Sequence, residues 1–219
     1  MKKILNKRLE TLSAFILDNE KVIDIGCDHA FLGIYLYLNR KNMKIVSSDI
    51  NTGPLQRAKE NLEKYHLENK IELRKGNGLE ALSSDITTII ISGMGGITIS
   101  DILKDINGYP NVSKLVLSPN NEFVFLRKSL KKNGFTITKE QMVEEKGKFY
   151  LISEYHKGNE KINYFFGKLD LNDKIVKDYY QNIYLKNRNI LKRLSFIQKI
   201  KNYHLIRENN VIKKKVSFK

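Results

Sequence analysis

Apolar and polar positions change period repeatedly along the first 155 residues. Short β-branched runs at Val22–Ile25, Ile45–Ser48, Ile71–Leu73, Thr87–Ile91 and Lys114–Leu117 are separated by helix-period segments at Phe31–Asn39, Pro54–His66, Ile97–Ile106 and Glu122–Lys132. Strands alternating with helices form βαβ units, so the pattern predicts a parallel sheet covered on both faces. Pro54 directly after Gly53 suits the first turn of a helix. Two further extended runs, Phe135–Glu144 and Lys148–Tyr155, flank Lys146–Gly147 and predict an antiparallel hairpin. The expected fold class is α/β, with a mostly parallel seven-stranded sheet.

The pattern changes near His156–Gly158, which divides the chain into expected domains at 1–157 and 158–219. From Asp173 to Ile200 the apolar positions Ile175, Tyr179, Ile183, Ile190, Leu194 and Ile197 recur in steps of three, four and seven, as one helical stripe. Leu205–Val216 is long enough to fold back beside it, so a C-terminal helical hairpin or short coiled coil is expected.

Charge sharpens that division. The 219 residues carry 39 Lys and Arg against 24 Asp and Glu, a net charge of +15. Residues 1–155 hold 23 and 19 of these, whereas residues 156–219 hold 16 and 5. An excess of this size on the helical part points to an anionic partner, nucleic acid before a membrane surface. The abundance of Lys, Asn and Ile also reflects a coding bias that inflates Lys without function. The single cysteine, Cys27, excludes an internal disulfide and a Cys-rich zinc module. No metal site is expected. The first residues lack an uninterrupted apolar stretch, so a cleaved export signal is not expected, and no apolar run approaches the roughly 20 residues of a membrane span. A cytoplasmic protein, acting as a monomer, is expected.

The candidate chemistry lies where strands end. Val22-Ile23-Asp24-Ile25-Gly26-Cys27-Asp28-His29-Ala30 closes the first strand and opens the first helix of the alternating region. Gly26 lets a ligand approach the backbone, and Asp24 is placed to meet a cationic group. A dinucleotide fingerprint would carry a second glycine where Asp28 stands, and a carboxylate there opposes a pyrophosphate. S-adenosyl-L-methionine, which has no phosphate, is therefore favoured over NAD. Asp49 ends the second strand, 23 residues after Gly26, the spacing of an acidic residue that accepts ribose hydroxyls. Gly76-Asn77-Gly78 follows the third strand, where an amide can meet an adenine edge. Ser92-Gly93-Met94-Gly95-Gly96 follows the fourth, and three glycines there mark a close backbone approach.

Taken together, D-I-G-C-D-H-A, S-D-I-N-x-G-P-L, G-N-G-L, S-G-M-G-G and L-S-P-N resemble the TrmK family of bacterial tRNA methyltransferases, which act on N1 of adenosine at position 22. The resemblance runs from Lys7-Arg8-Leu9 to Tyr150 in the family's order. The chain departs from it at Cys27, where Ser is commoner, and at Gly33, where Pro is usual. The resemblance implies a class I (Rossmann-like) methyltransferase domain followed by a coiled coil, with S-adenosyl-L-methionine as methyl donor and tRNA as acceptor.

The expected cofactor-binding set is Asp24, Gly26, Cys27, Asp28 and His29, then Asp49, Ile50 and Asn51, then Gly76, Asn77 and Gly78, and finally Ser92, Gly93, Met94 and Gly95. Asp28, His29 and Asn120 are the expected catalytic groups: Asp28 accepts from the exocyclic amine or relays its proton, and Asn120 orients the ring. Arg8, Lys186, Arg188, Lys192 and Arg193 are expected to bind RNA. Two other readings compete. An N6-adenine methyltransferase typically needs a (D/N/S)-P-P-(Y/F/W) loop after the fourth strand, and Ser-Gly-Met-Gly-Gly offers no aromatic platform. A non-catalytic RNA-binding protein with a vestigial fold would have no reason to keep Asp24, Gly26, Asp49 and Asn77 together.

Overall fold

The computed structural model describes residues 5–217. The chain divides into two compact units between Lys168 and Leu169. The first contains α1 (Lys7–Ser13), β1 (Lys21–Ile25), α2 (Phe31–Asn39), β2 (Lys44–Asp49), α3 (Thr52–Lys64) and β3 (Ile71–Lys75). There follow β4 (Thr88–Ser92), α4 (Gly96–Ile102), β5 (Lys114–Ser118), α5 (Phe123–Lys132), β6 (Phe135–Glu145) and β7 (Lys148–Lys157). The helix expected to run to Ile106 stops at Ile102, and a separate short 3-10 turn covers Ile106–Gly108.

The seven strands form one sheet in the order β3-β2-β1-β4-β5-β7-β6. Strands β1 to β5 pair in parallel, and β7 runs antiparallel to both β5 and β6. This is the architecture of a class I methyltransferase. The β6–β7 turn is Lys146-Gly147, both at positive φ (53° and 76°), as a two-residue turn matched to strand twist requires. Alternate residues of each strand feed two cores. Val22, Ile90, Val116 and Ile152 pack with residues of α1, α2 and α3. Ile23, Ile25, Ile89, Ile91, Leu115 and Leu117 pack with Ile99 of α4 and with Leu126 and Leu130 of α5. Strands buried on both faces explain why they read as unbroken apolar runs.

The chain order reverses between β1 and β4: from β1 it winds outward through β2 and β3, then returns to place β4 on the other side. The loops that leave the carboxyl ends of two such strands part to opposite faces of the sheet and leave a crevice between them. That crevice is the place to look for a site.

Residues 158–168 follow β7 yet stay with the first unit. Arg127 of α5 donates through Nη1 to the carbonyls of Tyr164 (3.0 Å) and Phe165 (2.9 Å). Its other nitrogens hold Glu140 of β6, and Glu140 accepts from the Lys168 backbone N–H at 2.7 Å. This tether carries the first unit eleven residues past the composition change at 157.

The second unit holds α6 (Lys174–Arg193), α7 (Phe196–Lys201) and α8 (Tyr203–Lys215). Asp173 caps α6, its side chain accepting from the N–H groups of Ile175 and Val176. Helix α8 returns along α6: Asn209 donates to the Tyr184 carbonyl at 3.3 Å and Asn187 to Glu208 at 2.7 Å. The expected hairpin is present, but its single stripe to Ile200 is not. Helix α6 ends at Arg193, and Ser195 and Gln198 form a capping box that starts α7. The buried positions of α6 are Val176, Tyr180 and Asn187, one residue on from the expected Ile175 and Tyr179, while Ile190 and Ile197 are exposed. No helix among the described residues is long and apolar enough to cross a membrane.

Candidate active site

The loop after β1 turns sharply. Gly26 and Cys27 both donate their N–H groups to the Ser48 carbonyl of β2 (2.8 and 3.1 Å), and His29 and Ala30 donate to the Cys27 carbonyl. Gly26 (φ 79°) sits in a backbone region that favours glycine, and a Cβ there would have to displace the flexible Met94 methyl group. Asp28 and Ala30 adopt left-handed backbone angles (φ 43° and 54°). Asp adopts that region more readily than Ala, for which it costs roughly 1–2 kcal/mol. The loop is held there by its neighbours, including Asn61 of α3, which donates to the His29 carbonyl at 3.0 Å.

This loop and the one after β4 border a cleft of about 410 Å³, lined by Arg8, Leu9, Asp24, Gly26, Cys27, Asp28, His29, Phe31, Leu32, Asp49, Ser92, Gly93 and Met94. It lies at the β1/β4 reversal and has the size of an ordinary small-molecule site. Its floor carries Asp24, 5% exposed. Burial pushes this carboxyl group up to about 7; the Arg8 guanidinium opposes the shift and the Asp49 carboxylate adds to it. Such a group is ready to ionise when a cation arrives. Burial, with the nearby Asp24 and Asp49 carboxylates, also pushes the Cys27 thiol well up, so Cys27 lines the wall as a thiol and is no nucleophile. Asp49 at the end of β2 accepts the Asn51 N–H on Oδ1 at 2.8 Å, which fixes its carboxylate.

At the mouth, Asp28 is pinned between Arg57 Nη2 (2.5 Å) and His29 Nε2 (3.3 Å), and the His29 ring stacks on Phe31 at 5.5 Å. Arg8, expected to bind RNA, is half-buried and lines the cleft. Its guanidinium sits over the Tyr150 ring (5.2 Å), and a Cβ on Gly93 (φ 82°) would come within 3.3 Å of its Nη1. Asn120 donates its Nδ2 to the Gly93 carbonyl (2.6 Å) and its backbone N–H to that of Met94 (2.8 Å). The loops after β4 and β5 are thereby locked together, and Asn120 stands beside the cleft wall. Close packing on the Asn121–Glu122 backbone accounts for Gly96, so the glycine cluster after β4 serves the loop contact as well as the cleft.

Other expected residues stand at the margin. Ile50 is exposed beside Asp49, and Gly76 donates its N–H to the Asp49 carbonyl at 3.1 Å. Asn77 and Gly78 line a separate cleft against Thr98 and Ile102 of α4, with the Asn77 N–H bonded to Glu80. Gly95 lies against Asn121. Lys186, Arg188, Lys192 and Arg193 are exposed on α6 of the second unit. Sequence reasoning missed Arg57, Phe31 and Tyr150. Among the described residues, no group of three or more His, Cys, Asp or Glu is placed to hold a metal ion.

Residues 5–153 match the family model described as a methyltransferase domain. The tRNA (adenine(22)-N(1))-methyltransferase of Bacillus subtilis is 35% identical over 162 residues, 73% of this chain and 68% of that protein. The chain belongs to this family. Among TrmK-family structures, that of M. capricolum TrmK with the cofactor product S-adenosyl-homocysteine superposes with a TM-score of 0.85 at 29% identity, covering 97% of both chains. A Streptococcus pneumoniae protein in complex with S-adenosyl-L-methionine superposes with a TM-score of 0.88 at 31% identity, covering 97% of this chain and 100% of that one.

Proposed function

We propose that this chain transfers the methyl group of S-adenosyl-L-methionine to N1 of adenosine 22 in tRNA. The observation that carries the reading is the joining, in one cleft at the strand-order reversal, of a buried carboxyl group and a strand-end carboxylate with two glycine backbones. These residues fit the cofactor. Asp24 meets the ammonium of its methionine part, Arg8 meets the adjoining carboxylate, and Asp49 accepts the ribose hydroxyls. When bound, S-adenosyl-L-methionine supplies an electrophilic methyl group on a sulfonium.

The acceptor uses the N1 lone pair of adenine. The new N–C bond forms as the C–S bond breaks, and the ring carries a positive charge until the exocyclic amine sheds a proton. The protein's tasks are to align the reactants and to tolerate that charge. The Asp28 carboxylate, fixed by Arg57 and His29, faces the mouth with negative charge. With Nδ2 of Asn120 committed to the Gly93 carbonyl, Oδ1 is the atom left to accept from the adenine amine. A base paired or stacked within a folded RNA must leave its stack before it reaches such a cleft. Cations of the second unit bind the phosphate backbone, and we assign the reaction to a cytoplasmic monomer.

The test is mass spectrometry of nucleosides from unmodified tRNA incubated with the protein and S-adenosyl-L-methionine. 1-Methyladenosine should appear among the nucleosides, and ribonuclease fragments of the same tRNA should carry the added methyl group at position 22. Methylation only at N6, or none with cofactor bound, would overturn the reading.

A further inference from the structure

The second unit has an apolar surface that its own packing does not use. At the tip of the hairpin, where α6 ends and α7 leads into α8, Phe196 is 78% exposed, Ile197 68%, Ile200 60% and Tyr203 62%. A groove beside it is lined by Lys186, Asn189, Ile190, Arg193 and Leu194, with apolar side chains between two cations. From Tyr179 to Arg207 there are seven Lys and Arg and no acidic residue. The surface therefore combines exposed aromatic rings with concentrated positive charge.

Three occupants suit an apolar patch, and charge separates them. A second copy of the chain would bring the same cations face to face with no acid among them. A membrane needs a longer apolar face than α7 offers, since its six residues make fewer than two turns. Single-stranded RNA supplies both complements at once: phosphates for the cations, and unstacked bases for the rings. We propose that the hairpin tip is a stacking platform for unpaired bases of the RNA substrate, with Phe196 and Tyr203 as the rings and Arg193 and Lys186 on the adjoining backbone. This rests on the reading of the chain as a tRNA methyltransferase and adds a contact that phosphate binding alone does not provide.

The chain contains no tryptophan, so Phe196→Trp places a unique fluorophore at the tip. Its emission should be quenched by unmodified tRNA and by single-stranded oligouridylate. The double variant Phe196→Ala/Tyr203→Ala should lose about tenfold or more in tRNA affinity, because base stacking on an aromatic ring is a strong contact. The slope of log affinity against log salt should stay unchanged, as should S-adenosyl-L-methionine affinity, and Phe196→Tyr alone should bind as the parent does. A double variant with parental tRNA affinity would overturn the platform. So would emission that responds only to anionic phospholipid vesicles, or a concentration-dependent dimer in sedimentation that the double variant abolishes. Failure of the parent protein to bind tRNA at all would instead defeat the reading on which the platform rests.

Discussion

A carboxyl group buried at the end of a strand stays protonated near neutrality unless a cation meets it. Asp24 is in that position, and its pKa of about 7 makes two quantities depend on pH. Its folded-state pKa lies above that of an unfolded chain. Its contribution to stability is therefore complete below the ordinary carboxylate range and is lost as pH rises through about 7. Asp24→Asn should gain thermal stability relative to the parent between about pH 5 and about pH 8, a differential melting curve being the check. Ligand binding has the opposite sign, because an ammonium needs the ionised form. Affinity for S-adenosyl-L-methionine should rise with pH by up to about tenfold per unit below pH 7, and calorimetry on Asp24→Asn should show that limb flattened. Asp49→Ala should bind the cofactor about a hundredfold or more weaker, since two hydroxyl-to-carboxylate bonds contribute roughly 1.5–3 kcal/mol each; a change under about threefold would remove Asp49 from the ribose site. For Asn120, the informative substrate is tRNA with purine riboside at the target position, which lacks the 6-amino group. The parent should disfavour it by roughly tenfold or more in kcat/KM, and Asn120→Ala should narrow the difference, leaving the part that comes from the weaker N1 nucleophile and the missing amine proton. Equal discrimination by both proteins would show that Oδ1 does not touch the amine. The strand-end residues Asp24, Gly26, Asp49 and Gly93 were legible because a βαβ pattern fixes where strands end. Arg57 and Tyr150 were not placed beside them, and Arg8 was expected near the site only as a phosphate contact, because tertiary packing of the helix α1, the helix α3 and the strand β7 is what brings them to the cleft.

Elements were legible where local chemistry decides them. Lys146-Gly147 fixed the hairpin, and Ser195 with Gln198 spelled the cap that breaks the C-terminal helix, a signal outweighed by the apolar period across it. That period also misplaced the seam of α6: Ile175-Val176 and Tyr179-Tyr180 are adjacent apolar pairs, so spacing alone cannot choose between them. The buried asparagines Asn187 and Asn209 at the seam carry no apolar signal at all. The clearest case is Arg127, a cation in an amphipathic helix that reads as solvent-facing. It is 1% exposed by side chain, its partner Glu140 0%, and the two are joined at 2.9 Å. Arg127 also satisfies carbonyls of the 158–168 segment, so removing it leaves Glu140 uncompensated and several acceptors unpaired. Arg127→Ala should cost about 3–5 kcal/mol, read as a lowered urea midpoint of the first unit. Arg127→Met combined with Glu140→Leu should lose less, because no buried charge is then left alone. A single variant as stable as the parent would mean that the tether contributes nothing to the fold.

Across the whole molecule, charge and chemistry are separated in sequence. The cleft belongs to a unit whose cations and acids nearly balance through residue 155, while the helical unit carries most of the excess. The Arg127–Glu140 tether moves the point at which the chain can be cut without exposing core to just after Lys168, beyond the composition change at 157. Removing residues 169–219 should leave the sheet, its cleft and S-adenosyl-L-methionine binding intact. Affinity for tRNA should fall, and the manner of its fall identifies the cause. Each phosphate neutralised by a cation releases counterions and steepens the plot of log affinity against log salt by somewhat under one unit. If Lys186, Arg188, Lys192, Arg193 and their neighbours follow the backbone, the truncated protein should bind with a slope shallower by several units, and the gap between the two proteins should shrink at high salt to the roughly tenfold that base stacking contributes. A lysine-rich face that is merely solvated would leave slope and affinity as they are, and that result would reassign the helical unit to stability or to another partner.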